Sequence, residues 1–239
     1  MMEWVGWKLR SDLSDSSASM IQRLEFPFRT LPGTLAVFQL NGSNIIEKEL
    51  AGTRVLFDGE PAPIIAASSG QVNAIVPYSV AGRDATTVKV EYQGATTAEF
   101  TVPVAEASPA IFTLDRSGSG PGAILNQDYT INGPNNRAAK GSIVQIFATG
   151  EGQTAPAGID GKIAAMRLED LPAPLLPVTV TIGGLDAPVH YAGAAPGLVA
   201  GVIQINAEVP RDAASGGAVP IVIRIGDRTS PAGVTLAVQ

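Results

Sequence analysis

The first candidate for acid–base chemistry is the only histidine of the chain, His190, because imidazole titrates near neutral pH. Asp186 lies four residues earlier and could orient the imidazole of a Ser-His-Asp triad. Ser68 comes nearest to a nucleophile elbow, but the first glycine of that motif is missing and no helix is predicted after it. We therefore expect His190 to be an ordinary strand or loop residue, and we assign no catalytic residue.

Side chains with oxygen atoms that suit calcium occur in the middle of the chain. They are Asp115, Asn126, Asp128 and Asn132. Their spacing does not match an EF-hand loop, and Asp and Asn in turns commonly accept hydrogen bonds from their own backbone. We expect all four to shape turns and keep Asp115 and Asp128 as the candidates for a calcium site. No cofactor is predicted.

Glu151 is a further candidate for an acid or a metal ligand, and it stands between Gly150 and Gly152. No second carboxylate lies close to it in sequence, as paired acid–base work would require. We expect a charged residue on a loop flanked by glycines. The glycine-rich run Ser117–Gly120 lacks the lysine and the following helix of a phosphate-binding loop. The sequence therefore predicts no enzyme.

One motif occurs twice, as QVNAIVP at Gln71–Pro77 and as QINAEVP at Gln204–Pro210. A related segment precedes each copy, at Asp58–Ile64 and at Gly183–Val189. The spacing between the two parts is eight residues longer in the second copy, which places an insertion in the loop Gly193–Gly201. This internal duplication predicts two domains of one fold.

The repeated motif carries polar side chains on one face of each predicted strand. Gln71 and Asn73 point one way in the first copy, and Gln204 and Asn206 do so in the second, since side chains alternate along a strand. Asn is disfavoured in strands, so its presence in both copies suggests a role. We expect a structural clasp in which these amides bond the backbone of the Ala-Pro loop upstream. The alternative is recognition of a sugar or peptide.

Short apolar runs divided by 26 glycines and 18 prolines indicate an all-β chain. Thr86–Tyr92 shows the pattern with period two that a half-buried strand requires. Each copy supplies about seven such strands, as in an immunoglobulin-like sandwich, and no long helical crossover separates them. The predicted fold is two tandem immunoglobulin-like (IPT/TIG-like) antiparallel β-sandwiches with a connection that contains a β-hairpin.

The predicted organisation has four parts. These are an N-terminal tail at 1–29, a first sandwich at 30–106, a connecting segment at 107–139 and a second sandwich at 140–239. We expect the tail, with Trp4 and Trp7, to pack an aromatic ring on the first sandwich; the alternative is an exposed aromatic platform for a ligand. A short helix is expected over Ala18–Leu24. Strand Ile143–Ala148 is expected to match the strand that begins at Thr34.

Composition excludes several classes of function. The net charge is −6 with no basic cluster, which disfavours nucleic acid and anionic membrane surfaces as partners. The chain has no cysteine, which rules out disulfides and thiolate chemistry. No run of about 20 apolar residues is free of Pro and Gly, so no membrane span is predicted. The N-terminal residues are charged and lack an apolar core, so no signal peptide is predicted in this chain.

Five short motifs occur in order along the chain. They are Leu31–Thr34, Pro61–Pro63, Gln71–Pro77, Ser108–Phe112 and Ala148–Thr154. With them the chain resembles the Solibacter-type C-terminal domain family, β-rich modules at the C-termini of large secreted proteins of soil bacteria. That family has no established activity and supplies no catalytic residues. The resemblance implies an exported accessory module, extracellular or on the cell surface. Tyr129 stands where the family tends to have glycine.

The leading functional hypothesis is a non-enzymatic accessory module that serves adhesion or spacing in an exported bacterial protein. Its partner is unknown, and a cell-surface protein or a polysaccharide is the candidate. The first alternative is a carbohydrate-binding accessory module, in which exposed aromatic and amide groups would form the site. The second alternative is a hydrolase that uses His190.

Overall fold

The computed structural model describes residues 21–25, 33–167, 169 and 171–239, and these form an all-β protein. The described residues contain no α-helix, and so no helix that could cross a bilayer; a 3₁₀ turn lies at Tyr78–Val80. The predicted all-β class is confirmed. Trp4, Trp7 and the interpretations of the tail that depend on them lie outside the described residues.

The N-terminal half, residues 21–106, contains two antiparallel sheets with a core between them. Its strands are β1 (Ile21–Glu25), β2 (Ala36–Val37), β3 (Thr53–Phe57), β4 (Glu60–Pro61), β5 (Ile64–Ser68), β6 (Gln71–Ile75), β7 (Ala85–Tyr92), β8 (Ala95–Thr96) and β9 (Phe100–Pro103). One sheet has the order β1-β6-β5-β2, and the other has β4-β3-β7-β8 with β9 also on β7. Val55 and Val88 from one sheet pack with Ile64 and Val72 from the other, and all four are fully buried. This arrangement is that of a β-sandwich.

The C-terminal half, residues 107–239, contains more strands. They are β10 (Ala110–Ile111), β11 (Gly120–Pro121), β12 (Ile124–Leu125), β13 (Ile143–Thr149), β14 (Thr154–Ala155), β15 (Ala173–Pro174), β16 (Val178–Ile182), β17 (Leu185–Ala187), β18 (Val189–Ala194), β19 (Val202–Glu208), β20 (Gly216–Ile225), β21 (Arg228–Thr229) and β22 (Val234–Val238). Sheet β10-β13-β19-β18 faces sheet β11-β22-β20-β16-β17. Buried residues from both, such as Ile146, Ile205, Ile182 and Ile223, form one cluster.

The segment 107–139 contributes strands to the C-terminal half. β10 and β12 pair with β13, and β11 pairs in parallel with β22. The hairpin expected in this connecting segment is present at Ala123–Asn132, with a bridge between Leu125 and Ile131. Tyr129, at its tip, has φ +64°, a conformation that favours glycine. This geometry explains why a glycine suits that position.

Corresponding hairpins of the two halves share one strand register. In β5–β6, Ile64 faces Ala74 and Ala66 faces Asn73, so one residue bulges out between them. In β18–β19, Val189 faces Ala207 and Tyr191 faces Asn206, again with one extra residue. The bulge therefore falls at the same place relative to the repeated Gln-x-Asn motif.

Two expectations about the first strands are wrong. β1 lies beside β6 as β13 lies beside β19, with Arg23 facing Asn73 and Gln145 facing Asn206. β1, rather than the strand that begins at Thr34, therefore matches Ile143–Ala148. The helix expected over Ala18–Leu24 is replaced by strand over its described part, because the ladder to β6 satisfies the backbone, whereas an isolated helix of that length is unstable.

Candidate functional site

The residues of the hypothetical triad lie on three different sheets. Ser68 is on β5, Asp186 on β17 and His190 on β18. His190 is half exposed, and its Nε2 lies 3.3 Å from Oε2 of Glu208. Among the described residues, no hydrogen bond connects His190 with Ser68 or Asp186. The structure does not assemble the hydrolase constellation.

The two calcium candidates each accept hydrogen bonds from their own turn. Oδ1 of Asp115 accepts from N and Oγ of Ser117 at 3.0 and 2.8 Å, and Oδ1 of Asp128 accepts from N and Oγ1 of Thr130 at 3.1 and 2.5 Å. These bonds lower the pKa of both carboxyls. Within the part of the chain that the structure describes, no group of three or more His, Asp or Glu side chains could hold a metal ion.

Asn126 and Asn132 attach the hairpin to the last strand. Nδ2 of Asn132 donates to Oδ1 of Asn126 and to the carbonyl of Ala237, both at 2.9 Å. Oδ1 of Asn132 accepts from the N–H of Ala237 at 2.7 Å. The side chain therefore replaces a strand partner for β22.

The Gln-x-Asn motif forms the same contact in both halves. Nε2 of Gln71 donates to Oδ1 of Asn73 at 2.6 Å, and Nε2 of Gln204 donates to Oδ1 of Asn206 at 2.8 Å. The expected bond to the Ala-Pro loop is not found among the described residues. That loop is held by main chain instead, for example by N of Ile75 to the carbonyl of Pro63 at 2.9 Å.

The most distinctive motifs of the sequence meet at the junction of the two halves. The N–H of Ser108 donates to the carbonyl of Gly150 at 2.9 Å. A Cβ on Gly150 would lie 1.7 Å from the Ser108 carbonyl oxygen, and one on Gly152 would lie 2.1 Å from that of Glu106. Both glycines have positive φ, +82° and +75°. They are required because another backbone segment crosses this turn in direct contact.

Glu151 lies between these two glycines in the turn and is only 1% exposed. Oε1 of Glu151 accepts from the hydroxyl of Tyr78 at 2.9 Å. Oε2 has no hydrogen-bond partner among the described residues. Burial raises the pKa of Glu151 to about 7. The sequence predicted the loop but gave no sign that its charge is buried.

Tyr78 follows the first Gln-x-Asn motif directly and is bonded to the C-terminal half through all its polar atoms. Its N–H donates to Oδ1 of Asp160 at 2.9 Å, its carbonyl accepts from Nε2 of Gln153 at 3.0 Å, and its hydroxyl reaches Glu151. A Cβ on Gly158 would lie 2.2 Å from the tyrosine ring. Burial, together with the Glu151 charge, raises the pKa of Tyr78.

An apolar cluster continues the junction. Ile46, Ile65 and Ile75 of the N-terminal half pack with Phe112 and Val199 of the C-terminal half, all five buried. Main-chain bonds cross the same boundary, from N of Ile46 to the carbonyl of Gly161 at 2.9 Å and from N of Ile163 to that of Asn44 at 3.0 Å. Val199 belongs to the predicted insertion 193–201. The insertion therefore forms part of the junction.

A groove of about 540 Å³ opens beside the contact between Tyr78 and Glu151, and residues of both halves line it. Its polar lining includes Tyr78, Arg83, Glu106, Gln153 and Arg228. The apolar part is formed by aliphatic side chains such as Val80 and Leu176. A groove with a mixed lining can hold a small polar molecule against an apolar floor.

Sequence reasoning missed Tyr78, and the duplication contains the one available signal. After Val-Pro the first copy has Tyr78, whereas the second copy has Arg211. A departure of this kind marks a position where the two halves have different surroundings. No family model and no curated protein matches the chain.

Proposed function

We propose that the chain is a non-enzymatic accessory module of an exported bacterial protein, built from two tandem immunoglobulin-like β-sandwiches of the IPT/TIG type and serving adhesion or spacing. The family resemblance of the sequence motifs supports the exported context. The common hairpin register of β5–β6 and β18–β19 supports the tandem arrangement.

The observation that carries the proposal is the junction between the halves. A linker without contacts would let two domains reorient freely, which a spacer of fixed length cannot allow. Here an apolar cluster of fully buried residues and main-chain hydrogen bonds join the halves. Each buried isoleucine contributes roughly 1.5–3 kcal/mol, so a cluster of this size holds one relative orientation.

The experiment is a measurement of residual dipolar couplings on the isotope-labelled chain. One alignment tensor that fits amides from both halves is expected of a rigid spacer. Two different tensors would contradict it. The non-enzymatic part is tested by broad esterase and glycosidase screens, in which turnover lost on His190→Ala would contradict the proposal.

Carbohydrate binding is the second candidate, and the groove is the observation that favours it. Sugars are commonly held by an aromatic or apolar surface together with amide, carboxylate and guanidinium groups, and the groove offers each of these. A glycan array and polysaccharide pull-down test this function. Specific binding that weakens in Arg228→Ala, which alters the groove, and persists in Arg224→Ala, outside its lining, would support it. No binding to any glycan would remove it.

A further inference from the structure

The contact between Tyr78 and Glu151 is the only hydrogen bond from a tyrosine hydroxyl to a carboxyl between the halves among the described residues. Glu151 is almost completely enclosed, and no described residue forms a hydrogen bond with one of its oxygens, Oε2. A carboxyl with an unpartnered oxygen away from water is a costly arrangement when it is charged. When the carboxyl is protonated, its burial costs only as much as the burial of a neutral polar group.

We propose that the Tyr78–Glu151 contact is a proton-dependent latch, which holds the two halves together most firmly when the Glu151 carboxyl is protonated and loosens when that carboxyl ionises. The proposal rests on the proposed function in one respect: the junction must be closed for a latch to act on it.

Among the described residues, the groups around Glu151 do not fully offset the cost of burying its negative charge. The titratable side chains that act on the contact are Tyr78 on the 3₁₀ turn, Tyr191 on β18 and Asp160 between β14 and β15. None of these groups is cationic near neutral pH. Within the described residues, no Lys, Arg or His forms an ion pair with Glu151. The Tyr78 hydroxyl and the Gly201 N–H favour the charged form, but desolvation outweighs them.

The cost of ionisation falls on the junction because the two partners belong to different halves. Tyr78 is in the N-terminal half, and its ring packs against Gly158 of the C-terminal half. Separation of these surfaces would let water reach Oε2. Opening therefore relieves the desolvation of the charged carboxylate, whereas it gains nothing for the protonated acid.

The expected pH window follows from the raised pKa of Glu151. Its ordinary value of 4.5 applies once the junction opens, and about 7 applies when it is closed. Between these values the closed form holds a proton that the open form has released, so opening becomes more favourable as pH rises. The change amounts to about tenfold per pH unit, for one proton, and levels off above pH 7.

Amide hydrogen exchange of the full chain between pH 5 and 8 tests the latch. The reporters are the N–H groups of Tyr78, Ile46 and Ile163, which bond across the junction. The matched controls are Val90 N–H and Ile223 N–H, bonded within their own halves to Thr97 and Ser230, each at 3.1 Å. After correction for intrinsic rates, protection of the reporters is expected to fall up to pH 7 and then stay level, with the controls unchanged.

Two variants make the test decisive. Glu151→Gln keeps an oxygen acceptor for Tyr78 but cannot ionise, so its reporters should show no pH dependence. Tyr78→Phe removes a bond that favours the charged carboxylate, so the levelling-off should move to higher pH. The latch is overturned if reporters and controls respond alike or if the slope survives in Glu151→Gln. Reporters unprotected at every pH would instead contradict the rigid module, so the two failures are distinguishable.

Discussion

Ile65 and His190 occupy the same position in the two halves, since each is the extra residue of the bulge that precedes the Gln-x-Asn strand. Ile65 is 5% exposed and packs in the junction. His190 is half exposed and lies against Glu208. The same backbone feature therefore presents an apolar contact in one half and a polar surface in the other.

The strand that pairs with each bulge shows the same change from an apolar to a polar residue. Ile75 of β6 is completely buried, and the equivalent residue of β19 is Glu208, which is partly exposed. Their main chains make equivalent bonds, to the carbonyls of Pro63 and Pro188, both at 2.9 Å. The exposed polar face of the C-terminal half thus corresponds to the face by which the N-terminal half docks.

Removal of the Ile75 side chain should destabilise the protein far more than removal of the Glu208 side chain. Ile75→Ala leaves a cavity in the junction cluster and is expected to cost about 2–5 kcal/mol. Glu208→Ala changes a surface residue, for which a shift within about 0.5 kcal/mol is expected. Urea denaturation of both variants measures the difference. Equal effects would show that the junction does not contribute to stability.

Tyr78→Phe should show how much the tyrosine hydroxyl at the junction contributes to the free energy of unfolding. The change removes one donor to an enclosed carboxyl and keeps the ring that packs on Gly158. Loss of such a bond is expected to cost about 1–3 kcal/mol in free energy of unfolding. Tyr129→Phe is the matched control, because that ring is 73% exposed. If Tyr129→Phe destabilised the protein as much as Tyr78→Phe, the contact between Tyr78 and Glu151 would have no special role in stability.

Local patterns predicted the strands because burial follows them directly. Val88 and Val90 of β7 are buried as the period-two pattern requires, and Asp58-Gly59 forms a hairpin turn with φ of +49° and +89°. Such features depend on neighbours in sequence. β1 was mistaken for helix because its five residues lack an alternating pattern, and only its pairing with β6 makes it a strand.

The junction could not be predicted because it depends on contacts that are distant in sequence. Nothing near Glu151 in sequence shows that the backbone at Ser108 crosses its turn or that the Tyr78 hydroxyl reaches its carboxyl. Tyr78 likewise acquires its partners from residues more than 70 positions away.

Asp58 should make stability depend on pH in the acid range. Its Oδ1 accepts the backbone N–H of Thr87 at 2.8 Å and its Oδ2 accepts the Thr86 hydroxyl at 2.7 Å, and these bonds lower its pKa from 3.8 to about 2. A lowered pKa means that the stabilisation is complete above about 4 and is lost as pH falls through about 2. Thermal melts of Asp58→Asn should therefore show a deficit at pH 6 that shrinks towards pH 2. Asp186→Asn, at an exposed residue of β17, is the control, and a constant deficit for Asp58→Asn would rule out the linkage.

Gly150→Ala should be among the most damaging single substitutions, and Gly184→Ala separates its two causes. Both glycines have nearly the same φ, +82° and +81°, so alanine pays a similar backbone strain of about 1–2 kcal/mol at each. A Cβ on Gly184 meets no atom within 4 Å, whereas one on Gly150 would lie 1.7 Å from the carbonyl oxygen of Ser108. Gly150→Ala must displace the backbone of Ser108, which crosses this turn, and open the enclosure of Glu151. We therefore expect the variant to lose more than about 4 kcal/mol in free energy of unfolding or to fail to fold. Urea denaturation and amide exchange at Ser108 measure this. Similar losses in the two variants would mean that strain alone, and not the crossing of the chain at Ser108, makes glycine necessary at position 150.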